Sequence, residues 1–162
     1  MSNSRRQPNY RRIVVDVDVL AADLLCGGLP RECIDIIRSH SWLELVVTEQ
    51  LLEETQTVIS RLTESSLADA WYRKMDDWDQ VRIVDQPPDD YPALAAAYQG
   101  QVPHVVSNNE RLQSIQAGME LQSRLTVSIR SPEAFVQVYD PGAIYGLLYE
   151  DEYEGPDQDA RF

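Results

Sequence analysis

Hydrophobic positions along this chain form short continuous runs that alternate with longer amphipathic stretches. The first run is Ile13-Val14-Val15, which is β-branched throughout and passes directly into Asp16. Such a run, flanked by polar residues, indicates a strand that is buried on both faces. Four further apolar segments, each interrupted by polar or proline residues, follow, and the stretches between them show the spacing of amphipathic helices. The pattern predicts strands ending at residue 15 and at 43–47, 81–84, 102–106 and 126–130, and helices at 19–26, 32–38, 48–62, 66–78, 90–99, 109–117 and 132–138.

Alternating strands and helices predict the fold class. Strands separated by helices of this length favour a parallel sheet covered on both faces. We therefore expect a three-layer α/β/α protein with a central, mostly parallel five-stranded sheet. The predicted boundaries are a basic flexible arm at 1–11, one α/β domain at 12–139 and an acidic C-terminal tail at 140–162.

Length and cysteine content are those of one ordinary domain. The chain has 162 residues, enough to bury a core without disulfides. Cys26 and Cys33 both lie in predicted helices, which favours free thiols in a reducing compartment. We see no signal-peptide pattern and no apolar run long enough to span a membrane. These features predict a soluble, cytoplasmic protein without membrane contact.

The charge balance is strongly acidic. The chain has 27 acidic and 14 basic residues, a formal net charge of −13, and a single lysine, Lys74. High salt shortens the range of the resulting self-repulsion, so this composition resembles that of proteins from salt-loving microbes. Mimicry of a nucleic acid is the alternative, but the acids are spread along the chain instead of forming one block.

Three acids have positions suited to metal binding. Asp16 ends the first strand, where open α/β sheets place their chemistry, although it also fits the cap of the next helix. Glu54 lies at the margin of the apolar stripe of its helix, where it faces either solvent or a site. Asp90 precedes an alanine-rich helix and has helix capping as its other interpretation.

The order and context of these acids resemble the PIN-domain family of nucleases. The segment Asp16-Val17-Asp18-Val19-Leu20 is similar to the first motif of that family, and Thr48 with Glu54 is similar to the second. Asp90, with Leu94-Ala95-Ala96-Ala97 and Val105-Val106-Ser107, is similar to the third. Ser131-Pro132-Glu133-Ala134-Phe135 resembles the closing helix, so the resemblance covers about residues 12–138.

This resemblance implies a metal-dependent endoribonuclease that cuts phosphodiesters with a metal-activated water. Mg²⁺ or Mn²⁺ is the implied cofactor, since these ions take oxygen ligands. The implied metal ligands are Asp16, Glu54 and Asp90, and Asn109 joins them as a catalytic residue. Many members have Thr-x-Asp where this chain has Ser107-Asn108-Asn109. Further residues that support the ligands or contact substrate are then Asp18, Ser107, Glu110 and Arg111.

RNA is the implied partner of an active enzyme, with Trp42 or Tyr91 available for base stacking. A toxin with an antitoxin partner, an RNA-processing factor and a homodimer all fit this interpretation. A catalytically silent PIN-like binding or assembly module with an incomplete metal site is the alternative. A haloacid-dehalogenase-type phosphatase is disfavoured, because the only lysine, Lys74, precedes the Ser107 motif instead of following it.

Overall fold

The computed structural model describes residues 7–86, 91–112 and 127–160. The last three residues of the second described segment, 110–112, are helical and carry no element label. Strands and helices alternate along the described chain as the hydrophobic pattern predicts. The strands are β1 (Arg12–Val15), β2 (Glu44–Thr48), β3 (Val81–Val84), β4 (His104–Val106) and β5 (Ser128–Arg130). The helices are α1 (Val17–Leu25), α2 (Gly28–Arg38), α3 (Glu49–Leu62), α4 (Ser65–Asp77), α5 (Pro92–Gly100), α6 (Pro132–Val138) and α7 (Pro141–Leu148).

All five strands pair in parallel in the order β3-β2-β1-β4-β5. The central strand β1 places Ile13, Val14 and Val15 fully out of solvent, as expected for a strand covered on both faces. Right-handed crossovers put the helices that follow β1 and β2 on one face of the sheet and α5 on the other. The predicted three-layer α/β/α fold with a parallel five-stranded sheet is therefore confirmed.

Helix α5 lies very close to the sheet because of one glycine. A methyl group added at Gly100 would stand 2.9 Å from Cγ1 of Val46 on β2. Residues Ala93 to Ala97 of the same helix are also buried, and the small side chains of the four alanines among them keep the backbone near the strands. The close approach is at the last residue of α5, while at the start of the helix Tyr91 and Pro92 lie near Asp16, which follows β1.

Most element bounds differ from the sequence pattern by one or two residues, and two helices differ more. Helix α2 begins at Gly28 instead of residue 32, because Pro30 is tolerated in a first helical turn, where its missing N–H is not needed. Helix α7 was not predicted. It contains two glycines and no residue that is fully buried, so it has no apolar stripe of the usual kind.

The C-terminal segment returns to the body of the protein. The Asp157 carboxylate accepts hydrogen bonds from the backbone N–H and the hydroxyl of Ser41, at 2.7 and 2.5 Å. Gln158 Nε2 donates to the Arg38 carbonyl and to Gln80 Oε1, at 2.6 Å each. This packing differs from the solvated acidic tail that the charge pattern of 140–162 indicates, because some of its polar groups find partners on the domain.

Three further features of the described chain concern its cysteines, the large side chains at α4 and the length of its helices. Cys26 is exposed and Cys33 is buried, and both are free thiols. Trp71 and Met75 belong to the core, while Trp78 is partly buried against it. In the described ranges no helix is long and apolar enough to cross a membrane.

Candidate functional site

The candidate site lies at the carboxyl edge of the sheet, between β1 and β4. From β1 the chain crosses to β2 on one side, while its other neighbour, β4, is reached only after β3. At such a switch point the loops that follow the two strands diverge and leave a crevice, which is where open α/β proteins bind ligands. Asp16 follows β1, and Ser107 follows β4.

Asp16 both caps a helix and faces this crevice. One of its carboxylate oxygens, Oδ1, accepts a hydrogen bond from the N–H of Val17 at 2.8 Å, at the start of α1. The other, Oδ2, accepts from the hydroxyl of Ser107 at 2.7 Å. Both interpretations of Asp16 are therefore compatible, because each carboxylate oxygen keeps further lone-pair capacity after accepting one hydrogen bond.

Ser107 links the two strand ends. The residue is fully buried and its hydroxyl oxygen also accepts from the backbone N–H of Asn109 at 3.0 Å. Because a hydroxyl donates one hydrogen bond and accepts others, Ser107 holds Asp16 and the Asn109 backbone in a fixed relation. Ser107 thus orients the Asp16 carboxylate from the buried side of the site.

Asp18 is the second carboxylate at the mouth of the crevice. Its Oδ2 accepts from the backbone N–H of Asn108 at 3.0 Å, which ties the first turn of α1 to the loop after β4. Partial desolvation of its carboxyl group and then the nearby charge of Asp16 raise the pKa of Asp18 above its usual range. Two carboxylates at this edge therefore repel each other.

Glu54 comes to the site from α3. Thr48 caps this helix by accepting from the N–H of Leu51 at 3.1 Å, and Leu51, Thr55 and Ile59 form its buried side. Glu54 lies beside that stripe, exposed, and its Oε2 accepts from Gln50 Nε2 at 2.8 Å. The helix thus presents Glu54 to the same crevice as Asp16.

Asn109 lies in the loop after β4 and carries no charge. Its side chain lines the crevice, and its Oδ1 accepts from the backbone N–H of Arg111 at 2.9 Å. The Arg111 guanidinium carbon lies 6.0 Å from the centre of the Tyr91 ring, within the range of a cation–π contact. Glu110 is exposed and does not contribute to the crevice wall.

Together these residues enclose an open cleft of about 370 Å³. Its polar lining consists of carboxylate and amide side chains from three parts of the chain, which are Asp16 and Asp18, Glu54, and Asn108 and Asn109. Its apolar lining completes the walls and comes from Val17, Val58, Tyr91, Pro92, Ala93 and Leu112.

The cleft is acidic in the described part of the chain. Asp16, Asp18 and Glu54 form no ion pair with any residue of 7–86, 91–112 or 127–160. In those same ranges no three His, Cys, Asp or Glu side chains stand close enough to hold a metal ion. Asp90, the third predicted ligand, lies outside the described residues.

The structure therefore brings Asp16, Asp18, Glu54 and Asn109 to one cleft, with Ser107 behind Asp16. Sequence reasoning left Asn108 out of the site, although its N–H holds Asp18 and its side chain lines the cleft. The signal was available, because Asn108 follows a predicted strand whose carboxyl end meets that of β1.

Fold and cleft together define an α/β/α protein with a parallel sheet and a carboxylate-lined crevice at its switch point. The chain belongs to DUF7384, a family of unknown function whose sequence profile matches residues 7–161. No curated protein and no solved structure matches the chain.

Proposed function

We propose that this protein is a metal-dependent endoribonuclease of the PIN type. The observation that carries the proposal is the convergence of oxygen-bearing side chains from three distant parts of the chain on one cleft. Asp16, Glu54 and Asn109 are far apart in sequence and line the same crevice. An open cleft at a switch point admits a polymer, which an enclosed cavity would exclude.

The donor set fits a hard divalent cation. Every polar side chain in the cleft offers carboxylate or amide oxygen, the ligands that Mg²⁺ and Mn²⁺ take. Asp16 and Glu54 would hold the ion, and the PIN resemblance adds Asp90. When bound, the ion supplies a water of lowered pKa and positive charge close to the scissile phosphate.

The chain's own residues would orient this site. Ser107 and the Val17 N–H fix both oxygens of Asp16, and the Asn108 N–H fixes Asp18. Supporting hydrogen bonds of this kind hold ligands in place and usually affect metal affinity when removed. Arg111, held beside Tyr91, is in position to meet the phosphate backbone near the cleft.

The net negative charge of the chain makes high salt the expected condition for activity. A chain of net charge −13 repels RNA over long distances, and molar salt screens that repulsion. We propose a cytoplasmic enzyme adapted to high salt, acting either in RNA processing or as a toxin with an antitoxin partner. A homodimer is the other partner arrangement that the proposal includes.

One observation favours a second function, a catalytically silent binding or assembly module. Asn109 carries no charge, and its Oδ1 already accepts a backbone hydrogen bond from Arg111. A site with fewer carboxylates binds a divalent cation more weakly. Such a module would keep the cleft for recognition without cleavage.

Cleavage of a mixed RNA pool at molar KCl with added Mn²⁺ tests between the two functions. The informative variant is Asp16→Asn, because asparagine still caps α1 but removes the charge. We expect the wild type to cut in a Mn²⁺-dependent manner and Asp16→Asn to lose roughly 100-fold or more in rate. Glu49→Gln is the matched control, since Glu49 is an exposed carboxylate on the same helix as Glu54.

Folding of each protein is checked by circular dichroism in the same buffer. Equal cutting by wild type and Asp16→Asn would refute the assigned site. A folded wild type that cuts nothing would refute the nuclease and support the silent module.

A further inference from the structure

The candidate cleft continues beyond Glu54. A second hollow of about 310 Å³ shares Val17, Glu54 and Val58 with it and extends to Thr57 and Arg61. The two hollows have three lining residues in common and are therefore adjacent, and together they make up what we call the groove. The groove runs from the loop after β4, past Asp16, and along the outer side of α3.

Helical spacing explains why α3 lines this groove. Gln50, Glu54, Val58 and Arg61 follow one another at intervals of four, four and three residues, so they lie on one side of the helix. Seven residues separate Glu54 from Arg61, which is about 10 Å along a helix axis.

Arg61 has the chemistry of a phosphate contact. It is the one cationic side chain that lines either hollow in the described part of the chain. Its side chain makes no hydrogen bond or ion pair with any described residue, so its donors are available. Glu53 and Glu54 line the same hollow, so the hollow is acidic with Arg61 in place and becomes more acidic if Arg61 is removed.

The opposite end of the groove offers an aromatic surface. Tyr91 lines the cleft and is 38% exposed, and the Arg111 guanidinium lies beside its ring. Exposed aromatic rings stack unpaired bases, a contact that a base inside a duplex cannot make.

We infer that this groove binds single-stranded RNA, with Arg61 contacting a phosphate and Tyr91 stacking a base on opposite sides of the acidic centre. The inference rests on the proposed function and makes Arg61 and Tyr91 positioning residues for its substrate. The acidic centre lies between Arg61 and Tyr91. A strand held by the cation on one side and by the aromatic ring on the other would therefore place a phosphate beside the carboxylates that would hold the ion. Arg61 also has a structural interpretation, since a cation in the last turn of a helix stabilises it slightly.

Binding of a fluorescein-labelled oligouridylate, followed by anisotropy as KCl is lowered, tests the inference. We expect Arg61→Ala to weaken binding about three- to tenfold and to reduce the salt slope by about 0.7, the value for one contact to a single-stranded phosphate. Arg61→Lys should restore most of the affinity, while Arg73→Ala, a change at an exposed arginine of α4, should have no effect. Tyr91→Ala should weaken binding with an unchanged slope, because stacking releases no counterions.

Cleavage kinetics separate this inference from the proposed function. If the groove positions substrate, Arg61→Ala raises KM more than it lowers kcat. A wild type that cuts RNA, together with an Arg61→Ala variant of unchanged affinity, slope and KM, would overturn the groove but leave the nuclease standing. Competition by duplex RNA as strong as by the single strand would also overturn it. A wild type that neither cuts nor binds RNA would overturn the nuclease first and the groove with it.

Discussion

The two edges of the parallel sheet carry polar side chains of opposite character. At the amino edge, Gln80 is buried and both ends of its side chain are occupied. Its Nε2 lies 2.8, 2.9 and 2.8 Å from the carbonyls of Ile37, His40 and Leu43, and its Oε1 accepts from Trp78 and Gln158. At the carboxyl edge, the acids of the cleft accept few hydrogen bonds and form no ion pair with a described residue.

His40 shows the same contrast. Its Nδ1 lies 2.7 Å from the Ile36 carbonyl and its Nε2 lies 2.7 Å from the hydroxyl of Tyr153. Both ring nitrogens are therefore used inside the protein, and the ring joins α2 to the C-terminal segment. A polar group with partners on every side stabilises the fold and is not available for a ligand.

The difference in hydrogen bonding between the two edges indicates which polar groups contribute to stability and which to function. Like charges such as Asp16 and Asp18 side by side cost folding free energy, and proteins keep such arrangements mainly at functional sites. Changes at the amino edge should therefore reduce stability, and changes at the carboxyl edge should reduce function while sparing or improving stability.

The largest expected effect is at Gln80. Gln80→Leu keeps a similar side-chain volume but removes the side-chain donor to three buried carbonyls and the acceptor of the Trp78 and Gln158 donors. We therefore expect a loss of about 3–5 kcal/mol in the free energy of unfolding. Urea unfolding at fixed KCl measures it. Gln137→Leu, at an exposed glutamine of α6, is the control and should change stability by less than about 0.5 kcal/mol.

A loss below about 1 kcal/mol for Gln80→Leu would contradict the assignment of this residue as the centre of the amino edge. It would mean that the three carbonyls find other donors, such as water, at little cost.

The second effect concerns His104, the exception at the amino edge. Its Nδ1 and the hydroxyl of Tyr139 are buried without a hydrogen-bond partner among the described residues, and the two ring centres lie 5.5 Å apart. Burial, and then the charge of Arg130, lower the pKa of His104 to about 4 from its usual value near 6.5. The unfolded chain therefore binds a proton between these pH values that the folded protein does not.

Stability should thus be lost as the pH falls from about 6.5 to about 4, and His104 should contribute about 3 kcal/mol to that loss. Unfolding curves for the wild type and for His104→Phe across this range measure the contribution. We expect a shallower dependence in the variant, since phenylalanine does not titrate and the Nδ1 atom it replaces makes no hydrogen bond to the part of the chain that the structure describes. Parallel pH profiles for the two proteins would show that another group titrates there.

Much of the fold could be predicted from the sequence because its signals are local. The β-branched run before Asp16, the cap at Thr48 and the apolar stripe of α3 each define an element without reference to the rest of the chain. Helix α7 could not be found in this way. Its glycines and its lack of a buried side leave it without a local pattern, and Tyr145 stabilises it through a ring contact with Trp42.

The candidate site was predicted in part for a similar reason. Asp16 and Glu54 have signals in their own elements, namely a strand end and the margin of a stripe. The hydrogen bonds from Ser107 to Asp16 and from Asn108 to Asp18 depend on β1 and β4 being neighbours, and that pairing is a property of the sheet order. Arg61 could not be predicted as a site residue from the sequence, because it lies near the cleft only as a result of how α3 packs in the fold.

The smallest expected effect lies at the carboxyl edge and completes the comparison. Asp18→Asn keeps an oxygen that can accept from the Asn108 N–H but removes one of the two repelling charges beside Asp16. In EDTA at neutral pH we expect the variant to be more stable than the wild type by less than about 1 kcal/mol, because the site is exposed to solvent. Thermal unfolding with and without Mn²⁺ measures the difference.

The sign of this change distinguishes the two edges. A cation that binds between the acids relieves their repulsion, so added Mn²⁺ should stabilise the wild type more than Asp18→Asn and reduce or reverse the difference seen in EDTA. If Asp18→Asn is instead less stable than the wild type in EDTA, then Asp18 stabilises the fold as Gln80 does. The contrast between a stabilising amino edge and a strained, functional carboxyl edge would then not hold.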